Sequence, residues 1–193
     1  MMSDRKKTLL DAMAKLGLGE RPQSLIDGVL MDGAGANVSL VDPFTEQELF
    51  SYPDADAALS DLACDAAQRA QLGWANGISA AQRGRVMQDI SRAILENVEP
   101  LATVEAIIAG KPIRDCRIEV AKVAEMFAYY GGWADKIHGE VIPVPSGHLN
   151  YTKREPLGVV FQITPWNAPI FTGGWQIAPA IATGNGVVIK PSE

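Results

Sequence analysis

The sequence predicts an α/β fold, and three stretches carry that prediction. Residues 157–163 and 187–189 are short runs rich in β-branched and apolar side chains, and they bracket a helical patch around 172–183. Strand, helix, strand at this spacing is a βαβ unit, whose strands lie parallel with a right-handed crossover. From Asp56 to Gly131 apolar residues recur every three or four positions, the period of helices with one buried face. Between residues 24 and 52 the pattern shortens to that of strands separated by glycine turns.

Taken in order, Leu9, Leu10, Met13 and Leu16 make a short amphipathic pattern that ends at Gly17 and Gly19, a loose helix in an N-terminal extension over 1–21. Residues 24–30 read as one strand and 38–41 as another, with Gly33 and Gly35 supplying the turn, and Pro43 and Pro53 punctuating the end. Ala58, Leu62, Ala66 and Ala70 mark the first long helix. Ser79-Ala80-Ala81-Gln82 is a capping box opening the next, with Val86, Ile90, Ile94 and Val98 on one stripe. Residues 101–108 continue helical and stop at Gly110-Lys111-Pro112, glycine followed by proline. A further helix runs to Gly131 with Val120, Val123, Ala124 and Phe127 facing one way. Residues 141–145 and 150–154 then flank Ser146-Gly147-His148 as a hairpin-like pair, and the prolines suit an exposed arm better than a central strand. The expected organisation is 1–21, an extension; 22–138, strands then helices; 139–156, the arm; and 157–193, the βαβ unit. Two apolar strands with so few neighbours point to an amino-terminal piece of a larger sheet.

Composition narrows the function. The 193 residues carry 17 Lys+Arg against 23 Asp+Glu, a net charge of −6, and are 47% hydrophobic, which excludes wholesale disorder. From Pro22 to Asp65 there are nine acids and no Lys or Arg, a poor surface for phosphates, so no nucleic-acid partner is expected. Cys64 and Cys116 stand far apart, outside any metal or redox spacing, and each reads as a small buried or half-buried apolar residue. No metal cluster is expected, and His138 and His148 read as surface or turn residues. The basic start lacks the apolar stretch of a secretory signal, so a cytoplasmic location is expected. Residues 156–189 are uncharged, yet Pro165, Pro169, Pro179 and several glycines interrupt them, which suits soluble core rather than a membrane span.

Ligands of parallel sheets bind beyond the carboxyl ends of the strands. Two segments lie there: Thr164-Pro165-Trp166-Asn167, and Lys190-Pro191-Ser192-Glu193. Glu193 is placed to accept hydrogen bonds from the adenosine ribose of a dinucleotide, and Lys190 to donate to the same hydroxyls. The neutral amide of Asn167 is suited to holding a developing oxyanion. Each has a plainer reading: loop charges for Lys190 and Glu193, a packing aromatic for Trp166, a turn former for Asn167. The glycine fingerprint of an ordinary Rossmann site is absent from the first turn, where Pro165 and Pro169 stand instead.

In combination, these segments closely resemble the aldehyde dehydrogenase superfamily. Glu155-Pro156-Leu157-Gly158-Val159-Val160, the run from Ile163-Thr164-Pro165-Trp166-Asn167 to Ala168-Pro169, the run Ile177-Ala178-Pro179 to Thr183-Gly184-Asn185, and Lys190-Pro191-Ser192-Glu193 match its pattern in order and spacing, as do Gly110-Lys111-Pro112 and Tyr130-Gly131-Gly132-Trp133. The likeness covers roughly residues 22–193. It implies an incomplete form of that fold: the start of a Rossmann-like NAD-binding domain with a helical layer, and an oligomerisation arm. It implies a variant dinucleotide site, with Ile163, Thr164, Pro165, Trp166, Lys190, Ser192 and Glu193 binding cofactor. The backbone of 163–166 lies on the nicotinamide side, and Lys190 and Glu193 lie at the adenosine ribose. A carboxylate at Glu193 disfavours the 2′-phosphate, so NAD rather than NADP is implied. Asn167 is the implied catalytic residue, donating to the oxyanion while a cysteine thioester forms, the nucleophile and general base lying beyond Glu193. The substrate is a small-molecule aldehyde, with Phe171, Trp175 and Gln176 as candidate wall residues, and the full-length partner is a further copy in a dimer or tetramer. Two other readings stay open: a truncated non-catalytic chain acting through the arm as a binding or assembly partner, and an acylating member that passes the acyl group to coenzyme A.

Overall fold

The computed structural model describes residues 4–192. Helix α1 (Asp4–Lys15) is not loose: Leu9 and Met13 are buried against Leu49 and Phe50 of a strand pair and Ile107 of a later helix, so its apolar stripe closes a core of its own. The expected strand over 24–30 is instead a hairpin, β1 (Ser24–Ile26) and β2 (Val29–Met31), paired antiparallel from Ser24↔Met31 to Ile26↔Val29. Asp27 and Gly28 both have positive φ, 51° and 78°, the two-residue turn whose twist matches that of the strands it joins.

Strands β3 (Asn37–Val41) and β4 (Glu48–Pro53) form a second antiparallel pair with a register shift between Leu40 and Val41. Its turn is anchored by Asp42, which is fully buried. Asp42 accepts from Arg5 Nε at 2.5 Å and from a second guanidinium nitrogen at 3.1 Å, and from the Phe44 N–H at 2.9 Å.

Four helices follow. Helix α2 (Ala57–Leu72) is capped by Asp56, whose carboxylate accepts from the Leu59 N–H at 2.9 Å, and it runs into a π-helical turn, Gly73–Gly77. Helix α3 (Ala80–Glu96) opens on the Ser79–Gln82 capping box, with both reciprocal hydrogen bonds made. Its buried face is Gly84, Met87 and Ser91 with Ile90 and Ile94 alongside, so the stripe is rotated from that expected: Val86 is exposed, and Val98 already belongs to α4 (Val98–Ala109). Gly110, at φ 66°, ends α4 in the left-handed conformation. Helix α5 (Ile113–Trp133) is the centre of the layer. Cys116 and Val120 pack on Ala102 of α4, while Val123 and Phe127 pack on Met87 of α3.

The arm is a short antiparallel pair, β5 (Val141–Ile142) and β6 (Asn150–Tyr151), with Val141, Ile142, Val144, Leu149 and Tyr151 all exposed. Strand β7 (Val159–Ile163), helix α6 (Pro169–Ala182) and strand β8 (Gly186–Lys190) make the βαβ unit, and β7 and β8 are parallel from Val159↔Gly186 to Ile163↔Lys190. Ala178 and Ala182 of α6 join the core of α3 and α5. At Gly174 a β-carbon would stand 2.5 Å from a methyl of Val123, so only glycine allows α6 this close to α5.

The two sheet faces differ. Gln162 donates to the Gln176 carbonyl of α6 at 2.8 Å and is buried. On the opposite face, α2 covers the start of the pair, where the Ala67 carbonyl lies against Gly186. Phe161 and Ile163 on that face stay exposed, so β7 is buried on one side only rather than throughout, as a strand in a complete parallel sheet would be. No helix among the described residues is long and apolar enough to cross a membrane.

Candidate active site at two strand tips

The tips of β7 and β8 lie side by side. Ile163 is paired with Lys190, and the Thr164 N–H donates to the Lys190 carbonyl at 3.1 Å, one hydrogen bond past the end of the ladder. The other end of the unit is fixed by Asn185, buried at the turn into β8. Its carbonyl oxygen accepts from the Gly158 N–H at 3.1 Å, and its amide donates to Ala180 O and Thr183 Oγ1. Parallel register and a fixed turn therefore bring the loop after β7 and the loop after β8 to one edge.

Within the first loop the residues divide. Thr164 is buried, so only its neighbours form surface: Ile163 is 68% exposed, Trp166 is 73% exposed, and Pro165 and Asn167 are exposed as well. Asn167 makes no side-chain hydrogen bond among the described residues, which leaves its amide available to a ligand, and it does not cap α6: the N-cap is Ala168. In the second loop Lys190 and Ser192 are half-buried and line a cleft of about 180 Å³ with Pro191, Ile189, Tyr52, Pro53 and Asp54. Glu193 lies outside the described residues. Phe171 and Trp175 stack edge to face on α6, 5.7 Å between centroids, with Trp175 exposed and Phe171 half-buried.

Apolar exposed surface beside one tip, and a cleft with an amine and a hydroxyl beside the other, suit a ligand that is planar at one end and hydroxyl-bearing at the other. A dinucleotide has that chemistry. Neither cysteine stands at the tips. Cys64 is exposed on α2 rather than buried, and Cys116 is buried between α4 and α5, where burial pushes its thiol up, away from the thiolate a nucleophile needs. His138 and His148 are exposed on and beside the arm. No group of three or more potential metal-ligating side chains occurs among the described residues.

One buried group near the first loop has no counterpart among the residues singled out from the sequence. Glu105 of α4 is 5% exposed; one carboxylate oxygen accepts from the Ile170 N–H at 3.2 Å, and the other from Lys111 Nζ at 3.3 Å. Lys111 also binds Glu119. Burial pushes the Glu105 carboxyl up against the pull of the Ile170 N–H and Lys111. Burial pulls the Lys111 ammonium down, but the two carboxylates more than reverse it. The signal was present in the spacing: Glu105 follows Ala102 by three positions, on the buried face of α4. A second cavity, of about 470 Å³ between α1 and α4, has Arg5 and Lys111 in its lining, both already paired with carboxylates.

Residues 30–193 match the aldehyde dehydrogenase family. An aldehyde dehydrogenase of Aspergillus niger is 41% identical over 176 residues, which is 90% of this chain and 35% of that protein. Among solved structures, PnpE in complex with nicotinamide adenine dinucleotide superposes with a TM-score of 0.84 at 44% identity, covering 88% of this chain and 35% of its own, and PnpE from Pseudomonas sp. WBC-3 with 0.83 at 43% identity and the same coverage. Betaine aldehyde dehydrogenase of Staphylococcus aureus in complex with NAD+ gives 0.83 at 32% identity, covering 96% and 37%. The chain spans about a third of the length of these relatives.

Proposed function

The chain belongs to the aldehyde dehydrogenase family, and from that membership we propose that it forms the first part of the cofactor site and the oxyanion-binding loop of an enzyme oxidising an aldehyde to a carboxylic acid with NAD. The observation that carries this reading is the registered pairing of Ile163 with Lys190, which sets the Asn167 loop and the Lys190–Ser192 segment on one edge. Two relatives bind NAD in their solved structures, which supports the same cofactor here.

NAD, when bound, accepts the hydride. Ile163, Pro165 and Trp166 offer it an apolar surface, and Lys190 and Ser192 offer a donor amine and a hydroxyl. Glu193, the next residue in sequence, adds a carboxylate that hydrogen-bonds ribose hydroxyls and repels a 2′-phosphate, which favours NAD over NADP. Asn167 donates its amide N–H to the carbonyl oxygen as that oxygen takes on negative charge. A neutral donor of this kind stabilises the oxyanion without binding the uncharged aldehyde equally well. The attacking cysteine thiolate and the carboxylate that activates water lie, on this reading, beyond Glu193. Residues 22–138 and 157–193 belong to the cofactor domain, and 139–156, with its exposed apolar side chains, contacts a second subunit. The cytoplasm is its place of action.

The test is turnover by the enzyme made from the reading frame that contains this chain, followed by reduced-cofactor absorbance and acid product. Asn167→Ala lowers kcat by about 10²–10³-fold and leaves NAD affinity unchanged. A loss confined to affinity, or a product formed only with coenzyme A, overturns the assignment.

A further inference from the structure

The loop that carries Asn167 is held at both ends by groups outside itself. At the sheet end, the Thr164 N–H is bonded to the Lys190 carbonyl. At the helix end, α6 has no cap of its own: Ala168 has no side-chain acceptor, and Pro169 at the first helical position has no N–H to offer. The first amide that needs a partner is that of Ile170, and it donates to the carboxylate of Glu105, 65 residues earlier on α4. That carboxylate is buried, it sits where the helix dipole favours negative charge, and its second oxygen is held by Lys111, itself held by Glu119.

A Ser at position 168 would satisfy the same amide at lower cost, because no charge would be buried. Such a local cap would tie the loop only to itself. The cap from α4 ties it to the helical layer, so the exposed Asn167 stands between one anchor in the sheet and one in the layer. We propose that Glu105 is a positioning residue for the Asn167 loop, capping α6 from α4 and so fixing where the Asn167 amide is presented. The catalytic half of this inference rests on the oxyanion reading of Asn167; the anchoring half does not.

Hydrogen exchange over residues 164–172 of the 193-residue chain, together with kinetics of the enzyme that contains it, tests both halves. Glu105→Ala raises exchange at the Ile170 amide at least about tenfold, while the amides of α3 and of the β3–β4 pair keep their protection. Glu105→Gln keeps an oxygen for the Ile170 N–H and raises exchange less. In the enzyme, Glu105→Ala lowers kcat about tenfold with the KM for NAD unchanged, and Glu105→Gln recovers most of the loss. If Glu105→Ala unfolds the chain, Glu105→Met, which fills the space without an acceptor, decides: exchange at Ile170 equal to that of the unsubstituted chain overturns the proposal. So does an unchanged kcat in both variants alongside a lowered kcat in Asn167→Ala. Faster exchange at Ile170 in the Glu105 variants, with Asn167→Ala fully active, removes the oxyanion reading and leaves Glu105 as the anchor of the loop.

Discussion

Helix α5 and strand β7 each carry apolar side chains on a face, yet only on the helix is that face covered. Cys116, Val120, Val123, Ala124 and Phe127 are buried on α5 because α3, α4 and α6 pack against that face. On β7 the face toward α6 is closed by Gln162 and its bond to Gln176, whereas Phe161 and Ile163 on the other face are 56% and 68% exposed. The helical layer completes its core within this chain. The strand pair presents an apolar face that α2 covers only at its start, and the candidate site residues lie at its edge. Enclosed side chains account for stability, and the open ones at the strand tips are those with chemistry to offer.

The largest test of this contrast is a pair of substitutions. Phe127→Ala in the enclosed region removes a buried ring and costs about 3–5 kcal/mol. Phe161→Ser on the uncovered part of the strand face changes stability by no more than about 0.5 kcal/mol. Urea denaturation of the two variants measures both. Equal losses would show that this part is covered in solution and would abolish the distinction.

The same contrast explains what was legible in the sequence. The start of α5 was readable from Gly110-Lys111-Pro112, and its buried face from Val120, Val123, Ala124 and Phe127, because helix starts and helix faces depend on local chemistry; its end was not, since the helix runs past Gly131 to Trp133. The parallel pairing of β7 with β8 was readable from the helix between them. The β1–β2 turn was hidden inside an apolar run, although Asp27-Gly28 is the dipeptide such a turn favours. How far the face of β7 opposite α6 is covered depends on where α2 lies, and α2 is separated from it by more than eighty residues of chain. At the site, the two loops were placed at strand ends from sequence alone. The burial of Thr164, and the capping of α6 by Glu105, depend on contacts between distant elements that no local pattern encodes.

A smaller effect separates the enclosed region's ionic contacts from its apolar ones. Arg5 holds the Asp42 carboxyl below the usual range, burial opposing it and the Phe44 N–H assisting. Because the folded value is lowered, the ionised carboxylate stabilises the fold fully above the ordinary aspartate range near pH 4, and that contribution fades as pH falls toward the lowered value. Asp42→Asn therefore costs about 1–3 kcal/mol at neutral pH, and the cost shrinks in acid. Thermal unfolding of the chain and the variant across pH follows the convergence. A difference independent of pH would mean that the amide disrupts packing and the charge is immaterial.

The smallest expected effect lies on the covered side of β7. Gln162 donates to Gln176 O, but its own carbonyl oxygen is buried with no hydrogen-bond partner among the described residues. An unpartnered buried acceptor costs about 1–3 kcal/mol, which offsets most of what the bond to α6 contributes. Gln162→Leu removes the orphan oxygen and adds apolar contact with α6, at the loss of one hydrogen bond to a helical carbonyl. The expected change is therefore within about 1 kcal/mol and toward greater stability, read as a small rise in Tm. A loss well beyond that would show that the β7–α6 contact depends on this polar tether, and the covered face of β7 would then differ in kind from the apolar core around α5.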